Sequence, residues 1–429
     1  MQRLIPSETA LVLGGGGAKG AYQIGVIDAL EEMGVTCGSV YGTSIGALNA
    51  AMYAQGRMNE ARELWNSLTM RDLITQEDAA LAEEAEGMFD SPDRLLEFIS
   101  RHASRKGINT APMMQLIRRC ADENTLRKSG VRFGLTATRF PKLTLCEKRL
   151  EDMEEGTLCD WLLASASVFP AFPMKKIGEE RYIDGGFSDN VPVDMAIRAG
   201  ARHIIAVDIG KNPSHMHFAG RPNMTYIRAS QPLGGLLTFD PAQAAINRTI
   251  GYHDTLRAFG RVRGTRYAFD AGDAMQLTRR AEDFLVRLTR FEAGMRQQSL
   301  TGRRSSSPLL DVLADELRPG ADAADYFLRA LELCAQTLAV PPAQMMTFRA
   351  MTGEIRARLP LDKAEAMLDS LLGGRIGVLF APPQPDRKLV LACLYLILMR
   401  EHAFPALAMR TLCAFPKELV CALTLAEIL

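Results

Sequence analysis

The sequence predicts an α/β domain, a sheet with helices on both faces, followed by a helical C-terminal domain. Short apolar runs alternate with helix-spaced segments through the first half, and glycine-rich turns join the two kinds of segment. After residue 308 the alternation gives way to helical segments punctuated by proline. The 429 residues are 47% hydrophobic and 23% charged, too apolar for a disordered chain and long enough for two domains. Fifty basic residues balance fifty acidic ones, so no net field recruits nucleic acid.

Residues 10–13 are a continuous apolar run of strand length. Residues 19–32 then place Tyr22, Val26, Ile27 and Leu30 at helical spacing and stop at Gly34. Residues 39–41 read as a second strand, leading through Gly42-Thr43-Ser44-Ile45-Gly46 into a helix that runs to Met52. Residues 57–128 read as a helical insertion, acidic at Glu77, Asp78, Glu83, Glu84 and Glu86. A solvated face is the default for such charge, and the insertion's place in the chain suits a cap over a cleft. Further strands are expected at 131–137, 143–146, 181–183 and 203–207, with a helix at 193–199.

This first domain is read as residues 1–270. Residues 271–308 read as a helix and a polar linker, and 299–308 has the Gly/Ser/Pro composition of a tether. Residues 309–429 read as an all-helical domain with helices at 309–317, 322–338, 343–358, 361–372, 387–400 and 417–428. The apolar run 389–399 falls short of the roughly 20 residues a membrane-spanning helix needs, so a buried bundle helix is expected and no transmembrane segment. A solvated face is likewise expected for Arg287, Arg290, Arg296, Arg303 and Arg304.

The N-terminus lacks the basic flank, apolar core and cleavage site of a classical signal peptide, so a cytoplasmic protein, at most peripheral to a membrane, is expected. The eight cysteines (Cys37, Cys120, Cys146, Cys159, Cys334, Cys393, Cys413 and Cys421) show no Cys-x-x-Cys or paired-histidine spacing. Reduced thiols are expected, with no metal and no cofactor.

Three glycine-rich sites carry chemistry. In Gly14-Gly15-Gly16-Gly17-Ala18-Lys19-Gly20 the spacing from Gly15 to Gly20 satisfies Gly-x-Gly-x-x-Gly. A dinucleotide site also wants an acid about 20 residues on, and residues 36–42 contain none. A P-loop wants Ser or Thr after its lysine, and Gly20 follows Lys19. What remains is a cradle of N–H groups at a helix start, fit for a phosphate or for the oxyanion of an acyl intermediate. Gly42-Thr43-Ser44-Ile45-Gly46 is a Gly-x-Ser-x-Gly pattern on strand, turn and helix, where a strained turn exposes a serine and side chains two positions either side would clash. The third is Asp184-Gly185-Gly186, which alone reads as a hairpin turn.

In that order the three resemble the patatin-like phospholipases. Supporting matches are Ala164-Ser165-Ala166-Ser167 with Phe169-Pro170, Asn190-Val191-Pro192, and Gly251-Tyr252; the resemblance covers about residues 8–262. It implies a three-layer α/β/α fold and a Ser–Asp dyad hydrolase. Ser44 would be the nucleophile, Asp184 its base, and the N–H groups of Gly15, Gly16 and Gly17 the oxyanion hole. Lys19, Gly20, Gly42, Gly46, Gly185 and Gly186 would support the motifs. The implied substrates are lipid acyl esters, phospholipids or lysophospholipids, cleaved at a membrane surface. Phe169, Phe172 and Met174 are candidate apolar contacts, with core packing the default. A Ser-His-acid triad would need one of His203, His215, His217, His253 or His402, and none lies in a recognisable motif. A non-catalytic lipid-binding scaffold, and an acyltransferase using the same acyl-enzyme, stay open.

Overall fold

Strand β1 (Thr9–Leu13) is buried at every position. It sits between two parallel neighbours, β2 (Ser39–Thr43) and β7 (His203–Asp208). Ala10, Val12, Ile204 and Ala206 share one face with Val193, Met195 and Ala196 of a helix at Val193–Arg198. Period two sends Leu11 and Leu13 to the other face, where they are equally buried. A strand covered on both faces has no polar side, which is why the sequence shows a solid apolar run rather than an alternation.

These coordinates come from a computed structural model that describes residues 4–88, 91–102, 107–218, 220–270, 272, 277–298, 308–317, 320–341, 345–370, 386–401 and 415–429. The linker stretch 299–307, Cys413, His402, Arg303 and Arg304 lie outside the described residues.

The remaining strands are β3 (Arg132–Phe140), β4 (Thr144–Arg149), β5 (Lys175–Ile177), β6 (Glu180–Asp184) and β8 (Met224–Arg228). They complete an eight-stranded sheet in the order β5-β6-β3-β2-β1-β7-β8, with β4 paired to β3. Neither β5 nor β8 is among the strands expected from sequence. The register around β3 positions the site. β4 takes one edge of β3 from Gly134 to Arg139. The other edge is therefore shared: β2 runs up it in parallel and stops at Thr43, opposite Thr136. β6 comes down the same edge antiparallel and stops at Asp184, opposite Ala137. Two strands thus meet C-terminus to C-terminus, one delivering Ser44 and the other Asp184.

Helix α1 (Ala21–Glu32) packs on the helix at Pro241–Ala258 so closely that two glycines are required. A Cβ on Gly25 would lie 1.8 Å from the Arg248 carbonyl oxygen, and one on Gly251 2.0 Å from that of Tyr22. The Tyr22 hydroxyl closes the crossing by donating to Asp254 at 2.9 Å.

The chain divides into two compact units, Met1–Ala258 and Phe259–Leu429, so the first ends short of residue 270. Residues 262–263 and 268–270 form two short strands that join Met345–Met346 in a three-stranded sheet inside the second unit. That unit is therefore not all helical. Its core gathers Phe284, Phe327, Leu331, Cys334, Leu394 and Cys421. Phe284 and Leu288 come from the helix Thr278–Gln298, expected as a helix between the two domains, which packs as a core element of the second unit. The helix Arg387–Glu401 buries Leu391, Cys393 and Leu394 completely, as a bundle helix should. Among the described residues the cysteines are free thiols, no group of side chains could hold a metal, and no helix is long and apolar enough to cross a membrane.

Candidate active site

Ser44 stands at φ 55°, ψ −126°, between the end of β2 and helix α2 (Ile45–Ala54). A serine held in this sparsely populated region costs about 1–3 kcal/mol and persists only where neighbours over-determine it. Those neighbours are backbone. A Cβ on Gly42 would fall 2.4 Å from the Gly46 carbonyl oxygen, and one on Gly46 would fall 2.1 Å from that of Leu13. The predicted clash two positions either side is therefore real. The Ser44 N–H donates to Ser165 Oγ at 2.8 Å, and the Ser44 carbonyl accepts from Ala47 and Leu48 at 2.9 and 3.3 Å. Every backbone group of Ser44 is thus committed, and the side chain is left to face the cavity.

Asp184 is 5% exposed. Its backbone N–H donates to the Ser167 carbonyl at 2.8 Å, and its carbonyl accepts from Thr138 Oγ1 at 2.8 Å. On the carboxylate, Oδ1 accepts from the Gly186 N–H at 2.7 Å, while buried Oδ2 has no partner of hydrogen-bonding geometry. Burial pushes the pKa up from 3.8 to about 6, against the pull of the Ser44 hydroxyl and the Gly186 N–H. The Ser44 hydroxyl is thus near enough to the carboxylate to favour its anion. Thr43 Oγ1 and Thr136 Oγ1 lie 2.7 Å apart and tie the end of β2 to β3 beside the site.

The glycine loop leaves β1 and enters a 3-10 turn, Gly17–Gly20, ahead of α1. One assignment is corrected here. The Gly15 N–H donates to the Asn190 carbonyl at 3.1 Å, so it is not available to a substrate oxyanion. Gly15 is instead a contact glycine, since a Cβ on it would lie 3.2 Å from Ser44 Cβ. Gly16 and Gly17 donate their N–H groups to no acceptor among the described residues. The Lys19 N–H donates to the Gly16 carbonyl at 3.2 Å, and the Gly20 carbonyl accepts from Asn49 Nδ2 at 3.1 Å, which holds the loop's far end.

A cavity opens from Ser44 with about 770 Å³ of empty space, part of it open to solvent. Its walls are almost wholly apolar, with Ile45, Leu48 and Met52 from α2 on one side. Opposite stand Trp65, Met113, Leu116 and Ile117 of the helical insertion, so the insertion does form a wall over the cleft. Phe172 reaches the cavity; Phe169 and Met174 do not. Among the described residues no histidine lines it. His215 bonds Asp189 at 3.1 Å instead.

Residues 11–197 match the family model of the patatin-like phospholipases. The chain carries a patatin-like phospholipase domain. Patatin-like phospholipase domain-containing protein 7 of Mus musculus is 29% identical over 206 residues, covering 47% of this chain and 13% of that protein. Lysophospholipase NTE1 of Mycosarcoma maydis is 29% identical over 209 residues, covering 49% of this chain and 10% of that protein. The matched stretch is thus about half of this chain and about a tenth of these relatives. The crystal structure of VipD from Legionella pneumophila aligns with 99% of this chain and 90% of its own, at a TM-score of 0.37 and 15% identity.

Within the patatin-like domain two residues carry positions that sequence reading left without a role. Asn190 clamps the Gly15 peptide from both sides, its carbonyl taking the N–H and its Nδ2 donating to the Gly15 carbonyl at 3.2 Å. Ser165, fully buried, takes the Ser44 N–H. Both lie in segments that matched the family pattern, but only the fold reveals what they touch.

Proposed function

We propose that this protein hydrolyses acyl esters of lipids through an acyl-enzyme on Ser44, with Asp184 as the base. The observation that carries this reading is the pairing of a strained, cavity-facing serine with a buried carboxylate whose Oδ2 lacks a partner. A group left wanting in a dry site is expensive to keep, and a pKa of about 6 suits a base working near neutrality.

In the proposed reaction Ser44 Oγ attacks the ester carbonyl carbon while its proton passes to Asp184. Negative charge develops on the carbonyl oxygen, toward the N–H groups of Gly16 and Gly17 at the start of a helix. Asp184 then returns the proton to the departing alcohol as the tetrahedral intermediate collapses, leaving the acyl group on Ser44. Water enters, loses a proton to Asp184 and attacks the acyl carbon; Ser44 regains the proton as the fatty acid leaves. The apolar walls suit an acyl chain. A relative named as a lysophospholipase supports phospholipids or lysophospholipids as the ester class.

The test is fluorophosphonate labelling with product analysis. The parent protein should label at Ser44 and release free fatty acid from phospholipid or lysophospholipid, and Ser44→Ala should do neither. Labelling at another residue, or unchanged release from Ser44→Ala, would overturn the reading. Acyl transfer to a second lipid in place of free fatty acid would make the protein a transferase.

A further inference from the structure

Glu86 was expected on a solvated acidic face, and it is not there. Its helix, Ala79–Glu86, belongs to the insertion, yet its carboxylate reaches a loop 150 residues on. Oε1 accepts from the Leu236 N–H and Oε2 from the Leu237 N–H, both at 2.5 Å, and Oε2 also takes Thr238 Oγ1 at 3.2 Å. The approach is close at position 235, where a Cβ would lie 2.3 Å from Glu86 Oε1 and would have to displace the carboxylate. Three donors converging on one carboxylate fix the loop's orientation, because charge-assisted bonds are short and directional.

The Leu236 carbonyl accepts the Ala18 N–H at 2.8 Å. The same oxygen lies 2.0 Å from where a Cβ on Gly17 would stand, so it presses directly on the glycine loop. Leu237 and Phe239 meanwhile form part of the cavity wall, with Phe239 stacked on Trp65 at a ring separation of 6.2 Å. A peptide whose N–H side is held by Glu86 and whose neighbouring carbonyl holds Ala18 transmits the position of the insertion to the Gly16–Gly17 donors. The structure assigns Glu86 as a positioning residue that sets the oxyanion-binding loop through the Leu236 peptide. This rests on the hydrolase reading above.

The test is Glu86→Gln on the full chain, which keeps the shape but turns an amide toward one of the two N–H groups. Turnover is measured per active site titrated with a fluorophosphonate, on a short-chain ester that leaves most of the cavity empty. Losing a whole oxyanion donor typically costs about 10²–10³ in kcat, so partial misplacement should lower kcat about 10- to 50-fold with KM changed less than about three-fold. Gly235→Ala applies the same lesion from the loop side and should reproduce the split. Glu83→Gln, on the same helix and exposed, should leave kcat as it is. A kcat per titrated site within two-fold of the parent for both Glu86→Gln and Gly235→Ala overturns the assignment. So does a rise in KM for long chains with kcat unmoved, which would make Glu86 a support for the wall alone. Turnover surviving in Ser44→Ala would sink the hydrolase reading instead, whatever Glu86 does.

Discussion

Glu332 in the helical unit and Asp184 in the α/β unit are both acids removed from water, and their surroundings differ in kind. Glu332, fully buried, accepts the N–H groups of Thr265, Arg266 and Tyr267 at 2.7, 2.9 and 3.0 Å, with Arg329 alongside at 3.6 Å. It pins the turn between the two short strands of that unit and has nothing left to offer. Asp184 has one N–H on Oδ1 and an unpartnered Oδ2. Saturation suits an acid that serves the fold; under the proposed mechanism the open Oδ2 of Asp184 is the atom that takes the proton.

The largest effect that sharpens this contrast is expected at Asp184→Asn. Removing the base should cut turnover by about 10³-fold or more. The fold should gain. The pKa of Asp184 is raised by folding from 3.8 to about 6, so the stability linked to this group is full below about pH 4 and is lost as pH rises through 6. At pH 8 the native state carries that penalty in full, up to about 3 kcal/mol, and asparagine removes it. Denaturant midpoints at pH 8 should therefore rise in the dead variant. Conversely, kcat/KM of the parent should fall as pH drops below about 6, when Asp184 takes up its proton. A midpoint that drops, or activity flat from pH 5 to 8, would remove the distinction between the two acids.

Glu332→Gln should do the reverse. One oxygen becomes an amide facing donors, leaving buried N–H groups without an acceptor and the Arg329 guanidinium with Glu316 as its remaining carboxylate partner. The cost should be about 2–4 kcal/mol in unfolding free energy at neutral pH, read as a lower denaturant midpoint. A variant as stable as the parent would show that saturation at Glu332 counts for little.

The sequence made the turn chemistry legible and left the non-local contacts hidden. Gly42 and Gly46 betray the serine turn because the clash they avoid is local, with residues of the same turn and the adjacent strand. Asp184-Gly185-Gly186 looks like any hairpin turn; what sets it apart is that β6 ends on the edge of β3 that β2 has just vacated. No periodicity reports such a register. Gly15 was misjudged for the same reason, since its N–H is taken by Asn190, 175 residues away. Glu86 was misjudged because an acidic helix end reads as solvated until its distant loop is known. The three-stranded sheet of the second unit escaped notice because its strands have only two or three residues each.

A smaller effect is expected at Ser165→Ala. This change removes the acceptor of the Ser44 N–H and leaves a buried donor unpaired beside a strained residue. The strain should relax in part, turning the hydroxyl from its attack line. A loss of about 1–2 kcal/mol of transition-state stabilisation corresponds to a fall of about 5- to 30-fold in kcat, with Asp184 and its pH limb unchanged. Stopped-flow measurement of acylation would read it. A shifted limb would mean that Ser165 acts on the carboxylate as well.

The smallest effect should come from His215→Gln, and it decides whether Asp184 works alone. His215 Nε2 lies 3.1 Å from Asp189 Oδ1, which also accepts the Val191 N–H, and the Asp189 carbonyl takes the hydroxyls of Thr43 and Thr136. The imidazole thus braces the loop behind the dyad and lies outside the cavity lining. Its pKa is raised by the hydrogen bond to Asp189, against burial, with the charges of Asp189, Asp194 and Asp208 adding to the rise. The stability it contributes is therefore full below the ordinary histidine value and lost as pH climbs through the raised one. Since His215 is partly open to solvent, that contribution should stay below about 1 kcal/mol. His215→Gln should unfold slightly more easily than the parent at pH 5.5, match it at pH 9, and turn over substrate within about two-fold throughout. A folded variant slowed a hundred-fold would put an imidazole in the reaction, and the unpartnered oxygen of Asp184 would then have to orient that ring rather than take the proton of Ser44.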